Sequence, residues 1–149
     1  MGPIGRWAQL ACIWEATARK PGNVHRFADF EDLTYLDFLL SAAAAAPELD
    51  RAPDRPVGGT ILAAVRATAE VATTNTNLGI VLLLAPLASV PEGTDLREGV
   101  REELDALTVE DAGSAYEAIR RARPGGLGEV PEADVRGEPD RTLREVMAL

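Results

Sequence analysis

The run Leu78–Ala88 contains no charged or hydrogen-bonding side chain. A stretch of this kind has no polar side to turn towards water, so it is predicted to lie inside the protein, buried all round. It is too short to span a bilayer and it contains Pro86, which leaves a core helix as the reading. Directly before it stand Thr73, Thr74, Asn75, Thr76 and Asn77. Thr and Asn cap helices well, because their oxygens accept first-turn N–H groups. One cap needs one such residue, and five are supplied. The surplus points to a polar pocket at a helix N-terminus, where unpaired N–H groups and the helix dipole favour an anion such as phosphate.

The rest of the chain reads as helix. Trp7, Leu10, Ala11, Trp14 and Ala18 fall on one helical face, and Lys20-Pro21-Gly22 stops that helix. A second helix is expected to begin near Asp29 or Asp32 and to run through the alanines to Ala46, with Pro47 to Gly59 as a connection. Ile61, Leu62, Val65, Ala69 and Ala72 mark a third. Pro86 is expected to kink or end the apolar helix, since it lacks an N–H and crowds the carbonyl of Leu82. Leu96, Val100, Leu104 and Leu107 give a short amphipathic helix. Thr108 and Asp111 form a capping pair for the next, which Pro124-Gly125-Gly126 ends. Arg120, Arg121 and Arg123 complement its C-terminal dipole. No alternating strand pattern is long enough for a sheet. The prediction is a single all-α domain over residues 1–149, a bundle of six to seven helices.

The C-terminus opens another helix with the capping-box sequence Thr142-Leu143-Arg144-Glu145, with Val146 and Leu149 as its first apolar positions, and the chain then stops. So short a helix is marginal unless it packs on something. The expectation is the N-terminal part of a longer protein.

A formal net charge of −9 argues against nucleic acid as a partner, which calls for a basic face, but leaves small anionic ligands open. The single cysteine, Cys12, excludes a disulfide framework and reads as a core thiol. No signal peptide and no membrane span are apparent, so a cytoplasmic location is expected.

Ala11-Cys12-Ile13-Trp14-Glu15, Lys20-Pro21-Gly22-Asn23-Val24, Asp32 and Asn75-Thr76 follow one another in a particular order and spacing. They resemble the triphosphoribosyl-dephospho-CoA synthase family, with its A-C-x-x-E segment, K-P-G-x-V turn, an Asp opening the next helix, and N-T-H-K-G motif. Arg136-Gly137-Glu138 is similar to the family's later R-G-E segment. The resemblance implies an all-helical transferase that joins ATP to 3′-dephospho-CoA and expels adenine, making a prosthetic-group precursor. The 2′-hydroxyl of the acceptor would displace adenine at the ribose anomeric carbon. That chemistry needs an acceptor for the hydroxyl proton, stabilisation of positive charge on the ribose, and a cradle for a triphosphate with its Mg²⁺. Asn77 and Leu78 stand where the family motif has His and Lys. Leu78 carries no charge, so a triphosphate would rely on Lys20, Arg136 and backbone N–H groups.

On this reading Asp32 is the candidate metal ligand or general base. Glu15 is a second catalytic candidate, although an ion pair with Arg19 one turn later explains it equally. Lys20, Asn75, Thr76, Asn77 and Arg136 are candidates for binding nucleotide or phosphate, and Glu138 joins Asp32 as a possible metal ligand. Acids at a helix start are favoured by the dipole alone, which accounts for Asp29 and Glu31. His25, the only histidine, reads as a solvated loop residue, and Gly125-Gly126-Leu127-Gly128 as a helix stop. Two further readings stay open: the same scaffold acting on a different acceptor, and a non-catalytic helical module.

Overall fold

Side-chain caps decide where these helices begin. In the computed structural model, which describes residues 1–125, 128 and 132–148, the chain forms seven α-helices and no strand among the described residues. They are α1 (Pro3–Thr17), α2 (Tyr35–Leu49), α3 (Val57–Ala69), α4 (Leu78–Ser89), α5 (Leu96–Asp105), α6 (Val109–Ala122) and α7 (Leu143–Val146). The helix α2 starts later than Asp29 or Asp32. Thr34 and Asp37 close a capping box there, with the Thr34 N–H donating to the Asp37 carboxylate at 2.8 Å. Asp29 instead accepts the Tyr35 N–H at 2.6 Å, so the acids before α2 sit in a turn that feeds it. The boxes at Thr108/Asp111 and Thr142/Glu145 form as the sequence predicts.

The buried face of α1 is not the one with the large side chains. Gly5, Ala8, Cys12 and Ala16 face inwards, while Trp7 and Trp14 are 68% and 69% exposed. The cause is the alanine stripe of α2, where Ala42, Ala45 and Ala46 are buried. Two small-residue faces let the backbones approach so closely that a Cβ on Gly5 would lie 2.8 Å from the Ala46 carbonyl oxygen. Asp50, at the end of α2, then accepts the N–H groups of both Gly2 and Gly5 and caps α1 from across the fold. Burial raises the Cys12 thiol to about 11, with Glu15 adding to the shift, as befits a core thiol.

Neither internal proline ends its helix. Beyond Pro47, α2 continues to the fully buried Leu49, and a 3₁₀ turn at Ala52–Asp54 leads to α3. Beyond Pro86, α4 continues to Ser89 and buries Ala88. In both places core contact outweighs the hydrogen bond a proline removes. The apolar helix is also not buried all round: Leu83 is 69% exposed.

The central helix is α3, which packs against α2, α4 and α6. Gly58 permits the last of these contacts. A Cβ there would fall 2.3 Å from the Asp111 carbonyl oxygen, and its N–H donates to the Asp111 carboxylate at 2.7 Å. The short α7 has partners: Leu143 packs on the core and Arg144 pairs with Asp105 at the end of α5. Gly126, Leu127 and Leu149 lie outside the described residues.

Candidate functional site

Where α3 ends and the Thr73–Asn77 loop turns into α4, the fold leaves a cavity of about 1020 Å³. That is ample for a nucleotide. Its walls are the last turns of α3, the whole polar loop, the Phe30, Asp32 and Leu33 turn, and the C-terminal end of α6.

Much of the polar surplus in the loop is spent on architecture. Thr76 is buried and donates to the Ser41 hydroxyl at 2.7 Å, which donates in turn to the Asp37 carbonyl at 2.6 Å. Asn77 is only 4% exposed, and its amide donates to the Thr68 hydroxyl at 3.0 Å. These two bonds tie the start of α4 to α2 and α3. The cap comes from Asn75, whose side-chain Oδ1 accepts the Leu78 N–H at 3.1 Å, while Asn77 at the N-cap position caps nothing with its side chain. The N–H groups of Gly79 and Ile80 therefore have no partner among the described residues. Thr73 and Thr74, also on the wall, complete the polar side of the cavity.

Asp32 lines the same cavity from the turn before α2, exposed and without a partner among the described residues. The other carboxylate on the wall is committed. Glu117 accepts from Arg66 at 2.8 Å and Arg121 at 2.9 Å, and those guanidinium groups hold its carboxyl below the usual range.

Asp32, Asn75, Thr76 and Asn77 thus come together on one cavity. The other candidates do not reach its wall. Glu15 pairs with Lys20 instead of Arg19, because Lys20 folds back where α1 ends. Arg19 and Arg26 lie over the Phe27 ring, 4.5 and 4.4 Å from its centre. The Arg136 guanidinium donates to the Gly128 carbonyl at 3.1 Å and lies 3.5 Å from Asp134, and Glu138 is exposed beside it. Of the two expected metal ligands, Asp32 lines this cavity and Glu138 does not. Among the described residues no group of three His, Cys, Asp or Glu could hold a metal. His25, partly buried, accepts the Phe27 N–H on Nδ1 in a tight turn.

Three arginines line the cavity that sequence reasoning assigned elsewhere: Arg120, Arg121 and Arg123. The helix dipole explains cations at that end well enough to hide a second use. A signal was present in the crowding of three positive charges into four residues of a chain with net charge −9.

The family model described as CitG, ATP:dephospho-CoA triphosphoribosyl transferase, matches residues 1–149. The chain belongs to this family. No curated protein and no solved structure matches it. Membership in the triphosphoribosyl transferase family carries a transferase class of activity, with ATP and dephospho-CoA as the family's substrates. The segments on which the sequence resemblance rests include stretches on α1, on the turn in which Gly22 adopts a positive φ of 72° and Val24 is buried, and at the entry to α4. Among the described residues, no helix is long and apolar enough to cross a membrane.

Proposed function

We propose that this chain transfers the triphosphoribosyl group of ATP to a hydroxyl of 3′-dephospho-CoA and releases adenine, and that the reaction takes place in the cavity at the start of α4. The observation that carries this reading is the unpartnered carboxylate of Asp32, which shares a cavity of nucleotide size with amide and hydroxyl side chains.

The reaction breaks the bond from the ribose anomeric carbon to adenine and forms one from that carbon to the acceptor oxygen. The electron pair of the broken bond leaves with adenine, which gains a proton as the hydroxyl loses one. A free carboxylate can accept the hydroxyl proton and can stabilise the positive charge that develops on the ribose. Asp32 meets this need better than Glu15, which is neutralised by Lys20 away from the cavity. Mg²⁺ enters as part of the substrate. Such an ion, bound to the phosphate oxygens, keeps several of its waters and so needs few ligands from the protein. The positive end of α4, whose N-cap residue Asn77 lines the cavity, adds a favourable field for an anionic substrate there.

A second reading keeps the donor and changes the acceptor. It is favoured by Asn77 and Leu78, both buried where the family motif has His and Lys, because an acceptor held by that His and Lys would lose two contacts. The test is adenine release from MgATP, with and without 3′-dephospho-CoA. Release that requires 3′-dephospho-CoA supports the first reading, and release that requires another hydroxyl compound supports the second. No release with any acceptor overturns both.

A further inference from the structure

The geometry points to Arg120 and Arg123, at the end of α6, as the anchor for the polyphosphate of the bound nucleotide. This rests on the ATP reading above and adds the orientation of the donor in the cavity.

The loop side of the cavity, Thr73 to Leu78, offers amides and hydroxyls but no cation, and Leu78 is buried and uncharged. A triphosphate needs positive charge, and the arginines of α6 are the cations on the wall. Arg121 is bonded to Glu117, which leaves two others. Arg120 places one guanidinium N–H on the Val135 carbonyl, so its side chain is held in position with further donors unspent. Arg123 has no side-chain partner among the described residues.

Arg123 also occupies an unusual backbone state. It ends α6 in the left-handed conformation, with φ 47° and ψ 52°, a position that favours glycine. A non-glycine residue in this state carries a conformational cost, which a phosphate contact of the Arg123 side chain would offset. The dipole of α6 accounts for cations in its last turn, but not for strain beyond it. The planar guanidinium fork suits phosphate oxygens, and two of them on the wall would set the phosphates at the α6 end of the cavity.

The test is titration calorimetry of inorganic tripolyphosphate, MgATP and adenosine into the wild type, Arg120→Gln and Arg123→Gly. Arg123→Gly relieves the backbone strain, so the variant should melt no lower than wild type. Each variant should nonetheless lose about 10-fold or more in affinity for tripolyphosphate and MgATP, with adenosine binding unchanged. Wild-type affinities for MgATP and tripolyphosphate in both variants would overturn the anchor and leave the ATP reading intact. Arginine-dependent binding of tripolyphosphate without binding of MgATP would uphold the anchor and overturn the ATP reading. A wild type that binds neither anion would overturn both.

Discussion

The side-chain amide of Asn77 donates to the hydroxyl of Thr68 at 3.0 Å, and both residues are buried. The bond fastens the first residues of α4 to the last turn of α3, directly beneath the cavity. Thr68→Val would leave the amide without its partner, and Asn77→Ala would leave the hydroxyl without its own. Each change is expected to destabilise the protein by about 1–3 kcal/mol. The double variant should lose less than the sum, because the two sites share one interaction. Urea denaturation of the four proteins checks this, and additive losses would contradict a shared bond.

Asp50 governs the acid response of α1. Its carboxylate accepts the N–H groups of Gly2 and then Gly5, which holds its carboxyl below the usual range. A group whose folded value is depressed contributes stability above its unfolded value, about 3.9. That contribution is lost as the pH falls through the folded value. Asp50→Asn should therefore melt below wild type at neutral pH, and the gap should narrow as the pH falls below about 3.9. A gap independent of pH would contradict the capping role.

Gly58 marks the closest approach of α3 and α6. A methyl group there would meet Asp111 backbone, which cannot swing aside as a side chain can. Gly58→Ala is expected to cost at least the 1–3 kcal/mol, roughly, of an overpacked core. Gly59→Ala, one residue on, would meet only the flexible stem of Arg55 and should be tolerated. Thermal melts of the pair distinguish close packing from a general need for glycine.

Helix type and number were readable from the sequence because apolar spacing and capping pairs are local. Thr108/Asp111 and Thr142/Glu145 needed nothing from the rest of the fold. The failures share a cause in distant contacts. Trp7 and Trp14 have the right spacing for a core face, yet α1 meets α2 through small residues, which no pattern within α1 reveals. Pro47 and Pro86 stay inside their helices because buried neighbours beyond them hold the chain in register. Thr34 was masked by Asp29 and Asp32, which are as good as threonine at capping a helix. At the site, Asp32 and the Asn75–Asn77 segment were found by pattern and meet in space. The ties of Thr76 to Ser41 and of Asn77 to Thr68 depend on packing and could not be read, nor could the placement of Arg136 and Glu138 off the wall.

Thr60 carries a buried hydroxyl with no hydrogen-bond partner among the described residues. Valine has the same shape and nothing to satisfy. Thr60→Val should raise stability, by up to about 1–3 kcal/mol if the whole desolvation penalty is recovered. A fall in melting temperature would mean that the hydroxyl has a partner, such as a buried water.

Asp32 is the residue on which the proposed chemistry depends, and the fold makes its test unusually clean. It precedes α2 by more than a capping position and bonds to nothing among the described residues, so Asp32→Asn should leave the melting temperature unchanged. The decisive measurement is the rate of adenine release from MgATP with 3′-dephospho-CoA, for wild type and Asp32→Asn at equal folded concentration. The account predicts a loss of about 10²-fold or more in the variant, the scale of a missing general base. Unchanged turnover in the folded variant would contradict it.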